Sequence, residues 1–361
     1  MKIVFVSQPL STGGAERVVA GLANKFSEMG HEIKIVVVDN GDENIYYTRP
    51  EISFFHIAKP SNPLIDLLYR AVIMRKFFGK YKPDVIIPFT TQKNVSVLLA
   101  TLFTKHKVIA CERNNPIYDP KNRILRILRK MLFWTSDGFV FQTENAKSYF
   151  SRNIQNRACV IANPINEDII PPWKGNRTDR IVLVNRLNVQ KNIDLAIDAF
   201  NLISEKYPTY TMEIYGKSDE GLFEYERHLK QKVDSLGLKD KVLFEGFCHD
   251  VHERIKDATV YLITSDNEGM SNSLMEALAL GLVCISTDDS NGGARTLIRD
   301  HYNGILIRVG NLDDCYKAID EVLSNQSMRG ELSKNAIHIR KELSMDAIAA
   351  KWIKYINQIV G

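Results

Sequence analysis

Several things are scarce in this chain of 361 residues. Its five cysteines, Cys111, Cys159, Cys248, Cys284 and Cys315, are scattered, with no Cys-x-x-Cys and no histidine at metal-ligand spacing. That argues against a structural zinc site and marks the thiols as reduced packing residues. No apolar run approaches the roughly 20 residues that a membrane span needs. The N-terminus lacks a basic region followed by a cleavage signal, so residence in the cytoplasm is the expectation. Low-complexity segments and repeats are also missing. Neither Gly-x-Gly-x-x-Gly nor a phosphate loop ending in Gly-Lys-Ser/Thr is found, which weakens ordinary dinucleotide and nucleoside-triphosphate readings. No aromatic-plus-basic motif supports nucleic-acid binding.

What is present describes a globular enzyme. Hydrophobic residues make up 45% and charged residues 25%, and the length suits two domains of about 150 to 180 residues. The net charge of +4 hides an asymmetry. Residues 1–165 hold 23 Lys and Arg against 13 Asp and Glu, whereas the remainder holds 24 against 30. An anionic partner for the first half follows: nucleic acid, an anionic membrane surface or a diphosphate-bearing lipid.

Lys2 to Ser7 is almost wholly apolar, as a strand covered on both faces is. Ala15 to Met29 carries Val18, Val19, Leu22, Phe26 and Met29 at helical spacing and stops at Gly30, and Ile33 to Val38 is a second buried strand. This is a βαβ unit. The pattern continues through Val85–Pro88, Val95–Phe103, Val108–Ala110 and Gly138–Gln142, then restarts after Asn163-Pro164. Arg180–Asn185, a helix over Asn192–Tyr207, Thr211–Tyr215, Val242–Glu245, Val260–Ile263, Val283–Ser286 and Gly304–Ile307 form the second series. The expected domains are 1–165, 166–343 and a last helix, 344–361, crossing back to the first. Two stretches are basic and amphipathic. In Lys121–Phe133, Arg123, Arg126 and Lys130 share one face while Ile124, Leu125, Leu128, Met131 and Leu132 gather on another; Ile65–Lys82 mixes Leu67, Leu68, Ile73, Phe77 and Phe78 with five cations. Each alone suits a solvated face on a core helix. Together, in the basic half, they tilt toward a membrane-facing surface.

Chemistry concentrates in Asn267 to Gly281, where Glu268 and Glu276 are separated by seven residues. Glu268 falls just before a helix, Ser271, Asn272 and Ser273 are all suitable N-caps, and Leu274 to Leu280 supply the apolar run. A loop carboxylate, a row of unpaired backbone N–H groups and a second carboxylate suit a diphosphate flanked by two hydroxyl-rich groups. A nucleotide sugar has that form. Arg186 and Lys191 follow the first strand of the second series, and both cations suit a diphosphate. Gly13-Gly14-Ala15-Glu16-Arg17 follows the first strand of the chain and lets a ligand approach the backbone. Val283 and Cys284 mark a strand leading into the Gly292-Gly293 loop, where doubly wound sheets usually bind ligands.

In that order, Gly-Gly-Ala-Glu-Arg at 13–17, Arg186 with Lys191-Asn192, and Glu268-Gly to Glu276-Ala resemble the retaining glycosyltransferases of family 4. The resemblance spans nearly the whole chain. Cys111-Glu-Arg-Asn-Asn-Pro116 and Phe141-Gln-Thr-Glu144 resemble segments of the branch that builds bacterial surface polysaccharides and lipid-linked oligosaccharides. The resemblance implies an α/β fold of the GT-B kind, two Rossmann-like doubly wound domains facing across a cleft, with acceptor bound by the first and nucleotide sugar by the second. By motif position, Glu268 meets the donor sugar's hydroxyls, and the backbone of Gly269, Met270, Ser271, Asn272, Ser273 and Leu274 receives sugar and phosphate oxygens. Glu276 holds the ribose, and Arg186 and Lys191 neutralise the departing diphosphate. Gly216, Phe247 and Val251 border the base. Gly14 lies near both substrates, and Gly13, Arg113 and Asn114 belong with the acceptor, Arg113 standing where many relatives have a sugar-contacting His. No metal or other cofactor is implied. Three positions depart from the family: Asn185 replaces a glycine, Gly216-Lys217-Ser218 replaces a glycine-rich turn, and Thr296 replaces a glutamate.

The function implied is retaining transfer of a hexose or N-acetylhexosamine from a UDP-sugar to an undecaprenyl-diphosphate-linked or similar lipid-borne saccharide. It would take place at the inner face of the cell membrane, with the leaving phosphate taking the acceptor proton. Alternatives are a GDP-mannose-dependent transferase and a UDP-N-acetylglucosamine 2-epimerase-like isomerase on the same fold. A silent scaffold would not need the charged residues intact.

Overall fold

The computed structural model describes residues 1–11, 13–39, 46–58, 66–166, 168–218 and 223–361. Two units emerge, one of Met1–Pro164 with Leu343–Gly361 and the other of Ile165–Glu342. The first runs β1 (Lys2–Ser7), α1 (Gly14–Glu28), β2 (Glu32–Asp39), β3 (Ser53–Ala58), α2 (Asp66–Tyr81), β4 (Val85–Pro88), α3 (Thr91–Thr101), β5 (Ile109–Glu112), α4 (Arg123–Leu132), β6 (Gly138–Phe141), α5 (Glu144–Ser148), α6 (Arg152–Asn156) and β7 (Ala158–Val160). The second runs β8 (Thr178–Val184), α7 (Ile193–Ile203), β9 (Thr211–Tyr215), α8 (Phe223–Ser235), β10 (Val242–Gly246), α9 (Val251–Ile255), β11 (Ala258–Ile263), α10 (Asn272–Ala279), β12 (Val283–Thr287), α11 (Gly293–Leu297), β13 (Ile305–Ile307), α12 (Leu312–Ser324), α13 (Gln326–Ala336) and α14 (Ile339–Glu342). The last helix, α15 (Met345–Val360), returns to the first unit.

In the first unit, parallel strands in the order β3-β2-β1-β4 and β5-β6-β7 are joined by a bridge between Ile86 and Val108. The second unit has six parallel strands in the order β10-β9-β8-β11-β12-β13. Parallel strands need helical crossovers that cover both faces, so strand residues such as Ile3 to Val6 and Val260 to Ile263 are nearly all sealed from water. In both sheets the order reverses beside the first strand of the unit, between β1 and β4 and between β8 and β11. Loops leave in opposite directions there and open a crevice beyond the carboxyl ends of the strands.

Helix α15 holds on through Trp352, fully buried, and through Tyr355, whose hydroxyl accepts the Phe139 amide at 2.9 Å and donates to the Arg157 carbonyl. The described cysteines are free thiols, with Cys111, Cys284 and Cys315 buried.

The structure departs from the sequence reading in four respects. Strands β3 and β7 are additional, and helix α7 is shorter than Asn192–Tyr207. On α4 the apolar side chains divide: Leu125, Leu128 and Leu132 pack on the core, whereas Ile124, Ile127 and Met131 face solvent. Of the expected basic and apolar faces of α2, Leu68 is exposed, while Arg70 is buried and ion-paired with Asp66.

Candidate active site

Five loops at the carboxyl edge of the second sheet carry the residues singled out by spacing. Segment 188–192, after β8, contains a short 3-10 turn, Val189–Lys191, and Asn192 turns the chain into α7 with left-handed dihedrals (φ 45°, ψ 49°). Segment 264–268 follows β11, the neighbouring strand. Hydrogen bonds lace the two together. Gln190 Nε2 donates to the Asn267 carbonyl at 2.7 Å, the Asp266 amide to the Gln190 carbonyl at 2.9 Å, Asn192 Nδ2 to Asp266 Oδ1 at 2.8 Å, and Thr264 Oγ1 to the Lys191 carbonyl at 3.2 Å. This lacing brings Lys191 Nζ into an ion pair with Glu268 Oε1. Both side chains are mostly enclosed, with 13% and 21% exposure, so the pair is screened less than a surface bridge.

Segment 288–293, after β12, closes the other side of Glu268. Asp289 Oδ2 accepts the Glu268 amide at 2.7 Å, Asn291 Nδ2 donates to the Glu268 carbonyl at 2.9 Å, and Ser265 Oγ donates to Glu268 Oε1 at 3.1 Å. Burial holds the Asp289 carboxyl above its ordinary range, against the pull of the amide bonds it accepts. The carboxylate of Glu268 is thus fixed at its backbone and at one oxygen.

Helix α10 begins beside it. Ser271 is the N-cap, its Oγ accepting the Leu274 amide at 3.3 Å and lying 3.1 Å from Ser273 Oγ. Leu274 is a core side chain, so its amide, assigned to the donor by sequence, is already engaged here. A helix start concentrates partial positive charge, and Glu268, Gly269, Ser271 and Leu274 line a small cavity with Ser265, Thr287 and Asp289. Glu276 is the fifth residue of α10, 9% exposed, with Oε2 at 3.0 Å from His252 Nε2 on α9. Arg186 is exposed and Gly216, Phe247 and Val251 border the same sheet edge; Lys217 Nζ stands 5.6 Å over the Phe247 ring. Gly216 explains itself: with φ at 137°, any Cβ there would lie 1.8 Å from the Asn185 carbonyl. Met270 is buried and Asn272 opens α10.

Residues 167–339 match the model of glycosyl transferases group 1, and residues 12–169 match that of glycosyltransferase family 4. The chain is a family 4 glycosyltransferase. It is 28% identical, over 99% of both chains, to a Campylobacter jejuni enzyme named GalNAc-alpha-(1->4)-GalNAc-alpha-(1->3)-diNAcBac-PP-undecaprenol alpha-1,4-N-acetyl-D-galactosaminyltransferase. A second enzyme of that organism, N-acetylgalactosamine-N,N'-diacetylbacillosaminyl-diphospho-undecaprenol 4-alpha-N-acetylgalactosaminyltransferase, is 26% identical over 96% of this chain and 97% of its own. The structure of Anabaena Alr3699/HepE in complex with UDP superposes with a TM-score of 0.82 at 17% identity, covering 99% of this chain and 100% of that one, which shows a shared GT-B fold.

The glycosyltransferase holds Gly13, Gly14, Arg113 and Asn114 in its first unit. Gly13 caps α1 with ordinary extended dihedrals and Gly14 opens that helix; Arg113 is buried and Asn114 exposed. Sequence reasoning missed His252, Ser265, Asp289 and Asn291 as partners of the two glutamates. Asp289 stands two residues after β12 and shortly before Gly292-Gly293, which is the available signal. Thr296, at the family's glutamate position, is exposed and donates to the Gly292 carbonyl at 2.8 Å.

Gly293 tests the closeness of this packing, because a Cβ there would meet the Gly269 carbonyl at 1.8 Å. Gly293→Ala is expected to displace the α10 entrance and reduce nucleotide-sugar protection against thermal unfolding at least ~10-fold in ligand concentration, about 1.4 kcal/mol. Gly330→Ala, with open space around it in α13, leaves that protection unchanged. Equal protection in both variants would contradict the geometry.

Proposed function

We propose that this glycosyltransferase moves a hexose or N-acetylhexosamine from a UDP-sugar to a saccharide carried on a lipid diphosphate, with retention at the anomeric carbon. The observation that carries the reading is the Lys191–Glu268 pair at the strand reversal, beside the start of α10 and a second carboxylate, Glu276. The donor diphosphate would lie against the α10 entrance, Arg186 and Lys191, which stabilise its charge as it leaves. Glu268 then turns to hydroxyls of the transferred sugar, and Glu276 to the ribose while His252 retains one of its oxygens. The bond from the anomeric carbon to the diphosphate oxygen breaks as the acceptor hydroxyl bonds to the same face. The leaving phosphate receives the acceptor proton. No metal is required by this scheme. The names of the Campylobacter relatives favour an undecaprenyl-diphosphate-linked acceptor and an N-acetylhexosamine.

A membrane-facing surface on the first unit accords with such an acceptor. Ile124, Ile127 and Met131 on α4 and Trp134 just beyond it are 67%, 59%, 60% and 65% exposed, and Lys121, Arg123 and Lys130 are exposed among them. Helices α2 and α4 both pack on α3, and α2 adds exposed Leu68, Val72, Arg75, Lys76 and Lys80. Apolar side chains interleaved with cations suit an anionic lipid interface. Among the described residues no helix is long and apolar enough to cross a membrane.

Glu268→Ala and Lys191→Ala should each lower transfer by at least ~100-fold while circular dichroism shows a folded protein. Assays with a panel of UDP-sugars and GDP-mannose on a lipid-diphosphate acceptor check this. Full activity in both variants rejects the assignment, and acceptor-independent epimerisation of the donor selects the isomerase instead. A double Ile127→Asp, Trp134→Asp variant should sediment with anionic vesicles at least ~10-fold less than the parent, and salt should weaken the parent's binding. Equal sedimentation would remove α4 from the membrane surface.

A further inference from the structure

Among the described residues of the first unit, Arg113 is a buried cation with neither an ion pair nor a hydrogen-bond acceptor. Arg113 follows β5 and is 7% exposed, yet Nε, Nη1 and Nη2 are all buried without a hydrogen-bond acceptor. Its guanidinium carbon lies 4.0 Å from the Phe89 ring centroid and 5.7 Å from that of Trp352. Ring faces attract a cation but accept none of its hydrogen bonds. The adjacent acid does not help, because the Glu112 carboxylate is committed to Thr91 at 2.9 Å, Asn94 at 3.1 Å and Arg129 at 3.4 Å. Burial without an opposing carboxylate lowers the Arg113 pKa to about 10.

The surroundings share this excess of donors. Trp352 Nε1, in the ring beneath Arg113, has no acceptor, nor does Asn115 Nδ2 two residues along the chain, whose Oδ1 takes the Ile117 amide at 3.1 Å. Thr90 Oγ1, next to Phe89, is likewise unpartnered and does not cap α3, the helix it precedes. Buried donors with nothing to accept from them are costly, and a group of them in one place calls for a cause, of which an anion that completes the set is one. Their location supports this: Phe89 and Arg113 lie just beyond the carboxyl ends of β4 and β5, beside the β1/β4 reversal, the crevice where α/β sheets bind ligands.

We propose that Arg113 is an oxyanion-binding residue, stowed against Phe89 and Trp352 and drawn out to a phosphate group of the acceptor. A planar fork of N–H groups matches phosphate oxygens, and the rings give the side chain a resting place that requires no acid partner. A permanent carboxylate would compete with the ligand; stacking does not. The anion site stands on the geometry of the first unit, whereas assigning the anion to the acceptor rests on the transferase reading above.

Thermal unfolding with inorganic diphosphate tests the site itself. The full chain carrying Arg186→Ala and Lys191→Ala, which removes the two cations assigned to the donor diphosphate, should gain unfolding temperature saturably with diphosphate. Adding Arg113→Met should abolish that gain and leave the ion-free unfolding temperature equal or higher, since an apolar side chain relieves an uncompensated buried charge. A retained gain, or a marked drop in ion-free stability, would overturn the proposal in favour of binding elsewhere or a structural role. In transfer assays of otherwise unaltered enzyme, Arg113→Met should raise KM for the lipid-diphosphate acceptor at least ~10-fold with the donor KM unchanged. A rise in donor KM alone would overturn the acceptor assignment, and absence of transfer in the parent would reject the transferase reading while the diphosphate arm still decides the site.

Discussion

A lysine and a glutamate, 77 residues apart in sequence, neutralise one another where the strand order of the second sheet reverses. Both side chains are mostly enclosed, and removing one partner of an enclosed pair leaves the other uncompensated. The surrounding polar groups are arranged around that constraint. Gln190, Asn192 and Thr264 bind the lysine loop to the glutamate loop, and Asp289 and Asn291 hold the glutamate backbone from the next strand. On the proposed reading, a donor bearing both a diphosphate and a sugar would offer each charge a new partner, and binding would be an exchange of hydrogen bonds instead of the desolvation of two bare ions. The site holds its geometry because its charges satisfy one another.

The two units solve related problems with different means. Both expose loops at the carboxyl edge of a parallel sheet beside a strand reversal. In the second unit the cation rests on a carboxylate. In the first, Arg113 rests on two aromatic rings and has no acceptor. Stacking provides a weaker hold than an ion pair, and a residue so held is released at smaller cost when an oxyanion arrives.

Much of the fold was legible because buried parallel strands read as continuous apolar runs: Lys2–Ser7, Val85–Pro88 and Thr211–Tyr215 are strands of the structure with those bounds. Strand β3 escaped because it lies at a sheet edge, and Ser-Phe-Phe-His-Ile-Ala is only partly buried, while β7 has just three residues. The faces of α4 misled because its apolar residues surround Arg129 on both sides. Leu125 and Leu128 meet the core and Ile124 and Ile127 meet solvent, a division set by where the neighbouring helix α3 lies. In the site, Glu268 and Glu276 were readable from their placement around a helix start. His252, Asp289 and Asn291 were not, since what joins them to those glutamates is the adjacency of α9 and the β12 loop to α10. Arg113 was visible as a motif position, but its lack of a counter-ion is a property of packing that no spacing records.

The account turns on whether the donor separates Lys191 from Glu268. A structure determined with an intact nucleotide sugar measures this directly. The account predicts Lys191 Nζ at about 3 Å from a diphosphate oxygen, with Glu268 accepting from a hydroxyl of the sugar. A bound donor that leaves the Lys191–Glu268 pair closed, or that lies away from the start of α10, would contradict it.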